Sequence, residues 1–134
     1  MLLESETVVQ AVAVPWRTAY DFAREPANLP QWASGLAAGI EHVEGHWYGQ
    51  SPMGRVRIEM TTENPHGVLD HRVTLPDGTP FDNPFRVVPN REGALFLFTV
   101  FRAEGVDAAA FKKDVAHVTG DLEALRALLE SRKP

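Results

Sequence analysis

An apolar stripe in the last third of the chain predicts one long helix from Asp107 to about Ser131. Large apolar residues recur there at steps of three and four, the period of one helix face. So wide an apolar face must be covered, and the concave face of a twisted sheet is a suitable cover that can leave a cavity between the two layers. The stripe consists of Phe111, Val115, Val118, Leu122, Leu125 and Leu129.

Short segments of alternating apolar and polar residues precede this helix and predict an antiparallel sheet. Arg55–Thr62 shows the alternation most clearly, and Asp77-Gly78 is a strong hairpin signal. Two short helical segments, 16–24 and 28–34, follow the first strand. The predicted strands are 6–14, 40–48, 55–62, 68–75, 85–88 and 95–102, with turns at 49–54 and 64–67 and a hairpin loop at 89–93.

The order of these elements predicts an α+β fold. A curved antiparallel sheet of six to seven strands wraps around the long C-terminal helix, and the two short helices follow strand 1. The 134 residues are expected to form a single domain, residues 1–134, which is long enough to bury its own core.

Composition excludes several classes of protein. The net charge of −5 and the scattered basic residues disfavour nucleic acid as a partner. No apolar run approaches the roughly 20 residues that cross a bilayer, so no membrane insertion is expected. The absence of cysteine excludes disulfides and thiolate chemistry. We expect a cytoplasmic monomer or homodimer.

Strand alternation assigns side chains to the two faces of the sheet. The residues that it places inward are Val43, Trp47, Val56, Ile58, Met60, Leu69, His71, Val73 and Leu75. The strand over 95–101 is apolar on both faces, so alternation does not decide it, and we favour Phe96, Phe98 and Val100 as the inward set. Leu95, Leu97 and Phe101 then face outward, and a partly exposed apolar row of this kind would suit a homodimer contact.

Short motifs spread over nearly the whole chain carry a family resemblance. They are VPWRTAYDF (14–22), NLPQW (28–32), GVLDH (67–71), NPFRVVPN (83–90), Phe98-Thr99 and Asp121-Leu122. In these motifs the chain resembles the polyketide cyclase/dehydrase and lipid-transport group of the Bet v 1-like, START-related (SRPBCC) superfamily. The resemblance implies a helix-grip fold with a deep cavity between sheet and C-terminal helix. It implies no reaction, because the superfamily mixes carriers, cyclases and dehydrases.

The cavity between sheet and helix has one main polar candidate. His71 could donate to a ligand carbonyl or serve as a general base, and a hydrogen bond within the core is the alternative. Asp70 points to the opposite face and cannot join it on one substrate atom. Arg86 and Asn90 are weak candidates for a polar contact at the cavity mouth. The predicted lining residues are Trp47, Ile58, Met60, His71, Val73, Phe96, Phe98, Phe111, Val115 and Val118.

Two groups of residues have the right chemistry for a metal but not the right placement. His42 and His46, taken as one strand face, lie ~13 Å apart, too far to share one zinc ion. Asp114, His117 and Asp121 share one side of the final helix but lie off the apolar stripe, so a solvated face is favoured. No metal site and no cofactor are expected.

Three functions remain open. The first is binding of a small hydrophobic molecule between the sheet and the C-terminal helix. The second is an enzyme of the polyketide cyclase or dehydratase type with His71 as the first catalytic suspect. The third is a protein-interaction module whose phenylalanines fill the interior. Turnover separates the first two, and an interior smaller than a ligand would favour the third.

Overall fold

The C-terminal helix is present as α2, Ala108–Ser131, in a computed structural model that describes residues 1–132. Asp107 caps its first turn, because the carboxylate accepts a hydrogen bond from the backbone N–H of Ala110 at 2.8 Å. The apolar stripe faces the rest of the molecule. Phe111, Leu122, Leu125 and Leu129 of the stripe are buried, and Val115 and Val118 are partly buried.

The remaining elements confirm the α+β prediction. Strand β1 is followed by helix α1 and by two short 3-10 helices, after which the chain forms seven further strand segments before α2. The bounds are β1 Ser5–Val12, α1 Trp16–Ala23, 3-10 helices Pro26–Gln31 and Ser34–Leu36, β2 Ile40–Val43, β3 His46–Ser51, β4 Gly54–Met60, β5 His71–Thr74, β6 Pro80–Asn83, β7 Phe85–Asn90 and β8 Gly93–Phe101.

The strands form one strongly curved antiparallel sheet. One ladder runs β2-β3-β4-β5-β6 and another runs β1-β8-β7. The segment that enters β5 joins them, since Val68 bridges Arg86 and the N–H of Leu69 donates to the carbonyl of Phe85 at 2.8 Å. Because β6 and β7 form one strand bent at Pro84, the sheet has seven strands. It curves around α2, as the helix-grip prediction requires.

The bend is held by a side chain that substitutes for a backbone group. The backbone N–H of Leu69 donates to the carbonyl of Phe85 across this junction, while the carbonyl of Pro84 faces β8 and accepts from the N–H of Thr99. The backbone N–H of Phe85 donates to the carboxylate of Asp70 at 2.8 Å, so this side chain takes the place of a carbonyl of the neighbouring strand. Arg86 donates to the same carboxylate through Nε at 2.9 Å and Nη2 at 2.8 Å. The two halves of the sheet are therefore connected by both backbone and side-chain hydrogen bonds.

The prediction of one bent strand over residues 40–48 is wrong. The chain reverses at Glu44-Gly45, where both residues have positive φ (51° and 82°), as a two-residue hairpin turn requires. His42 therefore pairs with Trp47 and stacks on its ring at 4.4 Å between centroids. His46 pairs with Val43, which puts these two residues on the opposite sheet face from His42 and Trp47.

Two further differences concern strand ends. β6, Pro80–Asn83, was not predicted, because its sequence lacks apolar alternation and its pairing comes from the hairpin at Asp77-Gly78. β7 extends to Asn90 and β8 starts at Gly93, so the loop predicted over 89–93 is a two-residue turn. Pro89 lies next to the last residue of β7, a position near a strand end where a residue without an N–H is tolerated.

The face of β8 that carries Leu95, Leu97 and Phe101 points outward and is partly apolar, as favoured from the sequence. Phe101 is 42% exposed, Val9 on the neighbouring strand is 55% exposed, and Leu95 and Leu97 are partly buried. The homodimer contact at this row remains a prediction. Between residues 1 and 132, no helix combines the length and the apolar character needed to cross a bilayer.

We expect Gly67→Ala to destabilise the protein by more than about 3 kcal/mol. Gly67 has φ of +73°, and an added Cβ would lie in contact with the carbonyl oxygen of Val87, across the junction of the two ladders. Gly78→Ala is the matched control: its φ is +92° but its Cβ would meet nothing, so about 1–2 kcal/mol of backbone strain is expected. Urea unfolding of both variants measures the difference. Equal losses would show that the Val87 contact is unimportant.

Candidate functional site

A partly enclosed cavity of about 160 Å³ lies between the concave face of the sheet and α2. Its floor is formed by β4, β5 and β8, one side by α2, and its roof by the two 3-10 helices. Most of the lining is apolar. The lining residues are Leu29, Trp32, Ala33, Leu36, Ile58, His71, Val73, Phe98, His117, Val118, Asp121 and Leu122.

The structure brings half of the predicted lining residues together at this cavity: Ile58, His71, Val73, Phe98 and Val118. The other five lie elsewhere. Phe96 and Phe111 are packed in the core, and Val115 is partly buried against it. Trp47 and Met60 line a shallower groove beside the loop that follows β4, with Met60 also bordering a second groove.

His71 lies on the inward face of β5 with its ring edge-on to Phe85 and Phe98, at centroid distances of 6.1 and 5.7 Å. Its Nδ1 is 3.0 Å from the carbonyl oxygen of Leu69. A carbonyl only accepts, so Nδ1 carries the proton and Nε2 presents a lone pair. Burial lowers the pKa of His71 below its usual value, because desolvation disfavours the imidazolium. The neutral ring with a free Nε2 is the form at neutral pH.

Asp70 and Arg86 belong to the outer face of the sheet and not to the cavity. Hydrogen bonds from Arg86, and secondarily from the backbone N–H of Phe85, hold the pKa of Asp70 below its usual value. Asp70 and His71 therefore point apart, as strand alternation predicts. Asn90 is exposed at the β7–β8 turn, also away from the cavity.

Trp32 borders the cavity and carries a buried polar group. The residue is only 5% exposed, and its ring packs against Phe85 at 6.0 Å between centroids. No atom of residues 1–132 accepts a hydrogen bond from its indole Nε1–H. A buried donor without an acceptor lowers the stability of the folded state by about 1–3 kcal/mol.

A hydrogen-bonded latch closes the roof onto α2. The hydroxyl of Ser34 donates to Asp121 Oδ1 at 2.7 Å, and the backbone N–H of Ser34 donates to the same oxygen at 3.2 Å. His117 Nε2 lies 3.3 Å from Asp121 Oδ2 and 3.3 Å from the Ser34 hydroxyl oxygen. The solvated-face interpretation is therefore wrong for Asp121, whose side chain is 15% exposed, while Asp114 is exposed.

The described residues 1–132 contain no group of three or more histidine, aspartate or glutamate side chains placed to hold a metal ion. His117 and Asp121 instead join a serine in the latch. A hydroxyl, an imidazole and a carboxylate meet there. However, the carboxylate itself accepts the hydrogen bond from the serine hydroxyl, and it contacts the same imidazole nitrogen as the serine does. In a nucleophilic triad the serine and the carboxylate bind different nitrogens of the histidine, so this group is not such a triad.

The strand pattern does not indicate the roof residues, because they lie in the two 3-10 helices and the short link between them. Leu29, Ala33 and Leu36 recur at steps of four and three, so the spacing of one helix face was the available signal for them. A larger surface depression of about 770 Å³ lies beside Val14 and Leu129, outside the layer between sheet and helix. Its polar groups do not converge on an enclosed space, so the interior cavity is the better candidate site.

Solved structures resemble this chain over nearly its full length. A protein of unknown function from Bacillus thuringiensis superposes with a TM-score of 0.74 at 14% identity, covering 94% of this chain and 98% of that one. The ZhuI aromatase/cyclase from Streptomyces sp. R1128 gives 0.72 at 15% identity, covering 98% and 96%. Ara h 8.0201 gives 0.68 at 12% identity, covering 98% and 100%.

The chain has the Bet v 1-like helix-grip fold. The fold predicted from the sequence is thereby confirmed. At these identities, 12–15% for the structures named above, the likeness establishes the fold alone. The sequence matches no protein-family model, and no curated protein matches it. Within this helix-grip fold the residues of the cavity must therefore carry the functional argument.

Protonation of His71 is expected to make stability depend on pH. The unfolded chain binds a proton near pH 6.5, whereas folded His71 does so only at lower pH, so unfolding becomes easier as pH falls through that window. The wild type should lose stability between pH 7.5 and 5 relative to His71→Phe, measured by urea unfolding. The exposed His66 supplies a control, since His66→Gln should retain the loss. Parallel curves for wild type and His71→Phe would contradict the assignment.

Removing the latch carboxylate should loosen the roof. We expect Asp121→Ala to raise the hydrogen-exchange rate of the Ser34 amide at least about tenfold, because the charged acceptor of that N–H is lost. Asp114→Ala, two turns earlier on the exposed side of α2, should leave this rate unchanged. An unchanged Ser34 rate in Asp121→Ala would show that other contacts hold the roof closed.

Proposed function

We propose that this protein binds a small, mostly apolar molecule about the size of one ring in the cavity between the sheet and α2. The observation that supports it is the partly enclosed volume of about 160 Å³ with its mainly apolar lining. Closed apolar cavities of about 150 Å³ in other proteins stay dry and take up benzene. Burial of apolar ligand surface contributes about 25 cal/mol per Å², which suffices for binding without a charged contact.

The size of the cavity follows from the aromatic side chains around it. Phe85 packs against Phe96 and Phe98 at centroid distances of 5.5 and 5.1 Å, and Trp32 packs against Phe85 from the roof. These rings occupy space that a larger ligand would need. The deep cavity implied by the family resemblance is reduced here to a single compartment, although its presence disfavours an interaction module with a fully packed interior.

A polyketide cyclase or dehydratase activity is the second candidate. It is supported by the likeness to the ZhuI aromatase/cyclase and by the imidazole of His71, a base inside the cavity. A folded polyketide chain needs several times the present volume, however, and would enter only if the latch opened. The volume therefore favours binding of a one-ring molecule over cyclisation of a long chain, and product formation would decide for the enzyme.

Filling the cavity should abolish binding. We expect benzene to perturb the ¹H–¹⁵N resonances of cavity residues in the wild type, and Val118→Phe to weaken its binding at least about tenfold, because the added ring takes its place. Val115→Phe is the control, since Val115 is also partly buried on α2 but does not line the cavity. Absence of benzene binding to the wild type, or equal binding to Val118→Phe, would refute the proposal.

A further inference from the structure

The outward face of strands β1 and β8 is mainly apolar and open to solvent. Val9 pairs with Leu97 and Thr7 with Thr99, so these residues share the sheet face opposite to the core. Val9 is 55% exposed and Phe101 is 42% exposed. This surface, which we call the β1–β8 face, consists of Ser5, Thr7, Val9, Ala11, Leu95, Leu97, Thr99 and Phe101.

The other ladder of the sheet presents a different outer surface. Its outward side chains include ion pairs, with Arg55 Nη2 2.9 Å from Glu41 Oε1 and Arg72 Nε 2.7 Å from Asp82 Oδ1. In the part of the chain that the structure describes, no charged side chain belongs to the β1–β8 face. The outer surface of one sheet is therefore divided into a charged part and an uncharged, apolar part. The latter is typical of a contact with another molecule.

The polar groups in and beside the β1–β8 face already have partners. The hydroxyls of Thr7 and Thr99 bond each other at 2.9 Å, so excluding water from them costs little. At the border, Arg86 on β7 binds Asp70 through two hydrogen bonds. Arg102, which follows β8, pairs with Glu4 at 3.1 Å. These border charges cancel in pairs, although the chain as a whole has a net charge of −5.

We propose that the β1–β8 face is a contact between two copies of this chain. A charged partner finds no opposite charge on this face, whereas an equally uncharged sheet face fits it, and a second copy supplies such a face. Because the border charges are paired, two copies can meet there without opposing rows of like charge. This contact lies on the side of the sheet away from the cavity, so it is independent of the proposed function.

The size of the face determines how stable the dimer is. Together with β7, strands ~30 Å long and ~4.8 Å apart give a flat area of about 400 Å² per copy, half of the roughly 800 Å² per partner in a stable complex. We therefore expect a weak, reversible dimer with a Kd between about 10 µM and 1 mM.

The test is sedimentation equilibrium of the wild type over about 10 µM to 2 mM, a range that spans this Kd. We expect the average mass to rise from that of the monomer towards that of the dimer. In ¹H–¹⁵N spectra of the same dilution series, the concentration-dependent shifts should be confined to β1, β8 and β7. A mass that stays at the monomer value throughout would overturn the proposal.

Matched lysine substitutions test the location of the contact. Val9→Lys and Phe101→Lys should each raise the Kd at least about tenfold, because a dimer would bury the added charges. Val43→Lys is the control, since Val43 is also an exposed valine in a strand but lies on β2, at the other edge of the sheet, and its Kd should stay within about twofold of the wild type. Val9→Lys decides if Phe101→Lys does not fold.

Two further outcomes would contradict the contact. A dimer that persists in Val9→Lys, or that is lost equally in Val43→Lys, would mean that a different surface or a nonspecific association forms it. Raising NaCl from about 50 to 500 mM should weaken the dimer less than about twofold, because salt screens charges and this face has none. A dimer that weakens tenfold in salt would assign the contact to the charged part of the sheet surface instead.

Discussion

The junction at Asp70 is the constraint on which the rest of the structure depends. At this point the Asp70 carboxylate, and not a backbone carbonyl, accepts the hydrogen bond from the N–H of Phe85, and it also binds Arg86 through two nitrogens. Without that connection the two ladders would be joined by little more than the Val68–Arg86 bridge and two backbone hydrogen bonds. Curvature of the sheet around α2 depends on the same point, because the β6–β7 strand bends there.

The junction also places the polar group of the cavity. Strand alternation turns His71 inward because Asp70 is fixed outward, so the ion pair on one face positions the imidazole on the other. The Leu69 carbonyl then selects the tautomer that leaves Nε2 available. One local arrangement of three consecutive residues therefore serves the sheet and the site together, which is why a strain at Gly67, two residues earlier, is expected to affect both.

Sequence reasoning predicted the elements with uninterrupted local patterns and failed where contacts are distant. The α2 stripe identified Val118 at the cavity, and the alternation of β4 and β5 identified Ile58 and His71. The turn at Glu44-Gly45 was missed, because it carries neither Asn-Gly nor Asp-Gly. The latch between Ser34 and Asp121 joins residues 87 positions apart, and no local spacing predicts such a contact.

The fold and the ligand are controlled by different residues in this protein. The sheet junction and the α2 stripe set the architecture that it shares with neighbours at 12–15% identity. The volume, in contrast, is limited by lining side chains such as Phe98, which packs against Phe85, and the polar lining groups are His71, His117 and Asp121. Replacing one phenylalanine with a smaller residue would enlarge the cavity without changing the fold, at a cost of about 3–5 kcal/mol for a Phe→Ala change. Ligand size can therefore differ widely among proteins of this fold, and only the cavity residues of each chain indicate what it binds.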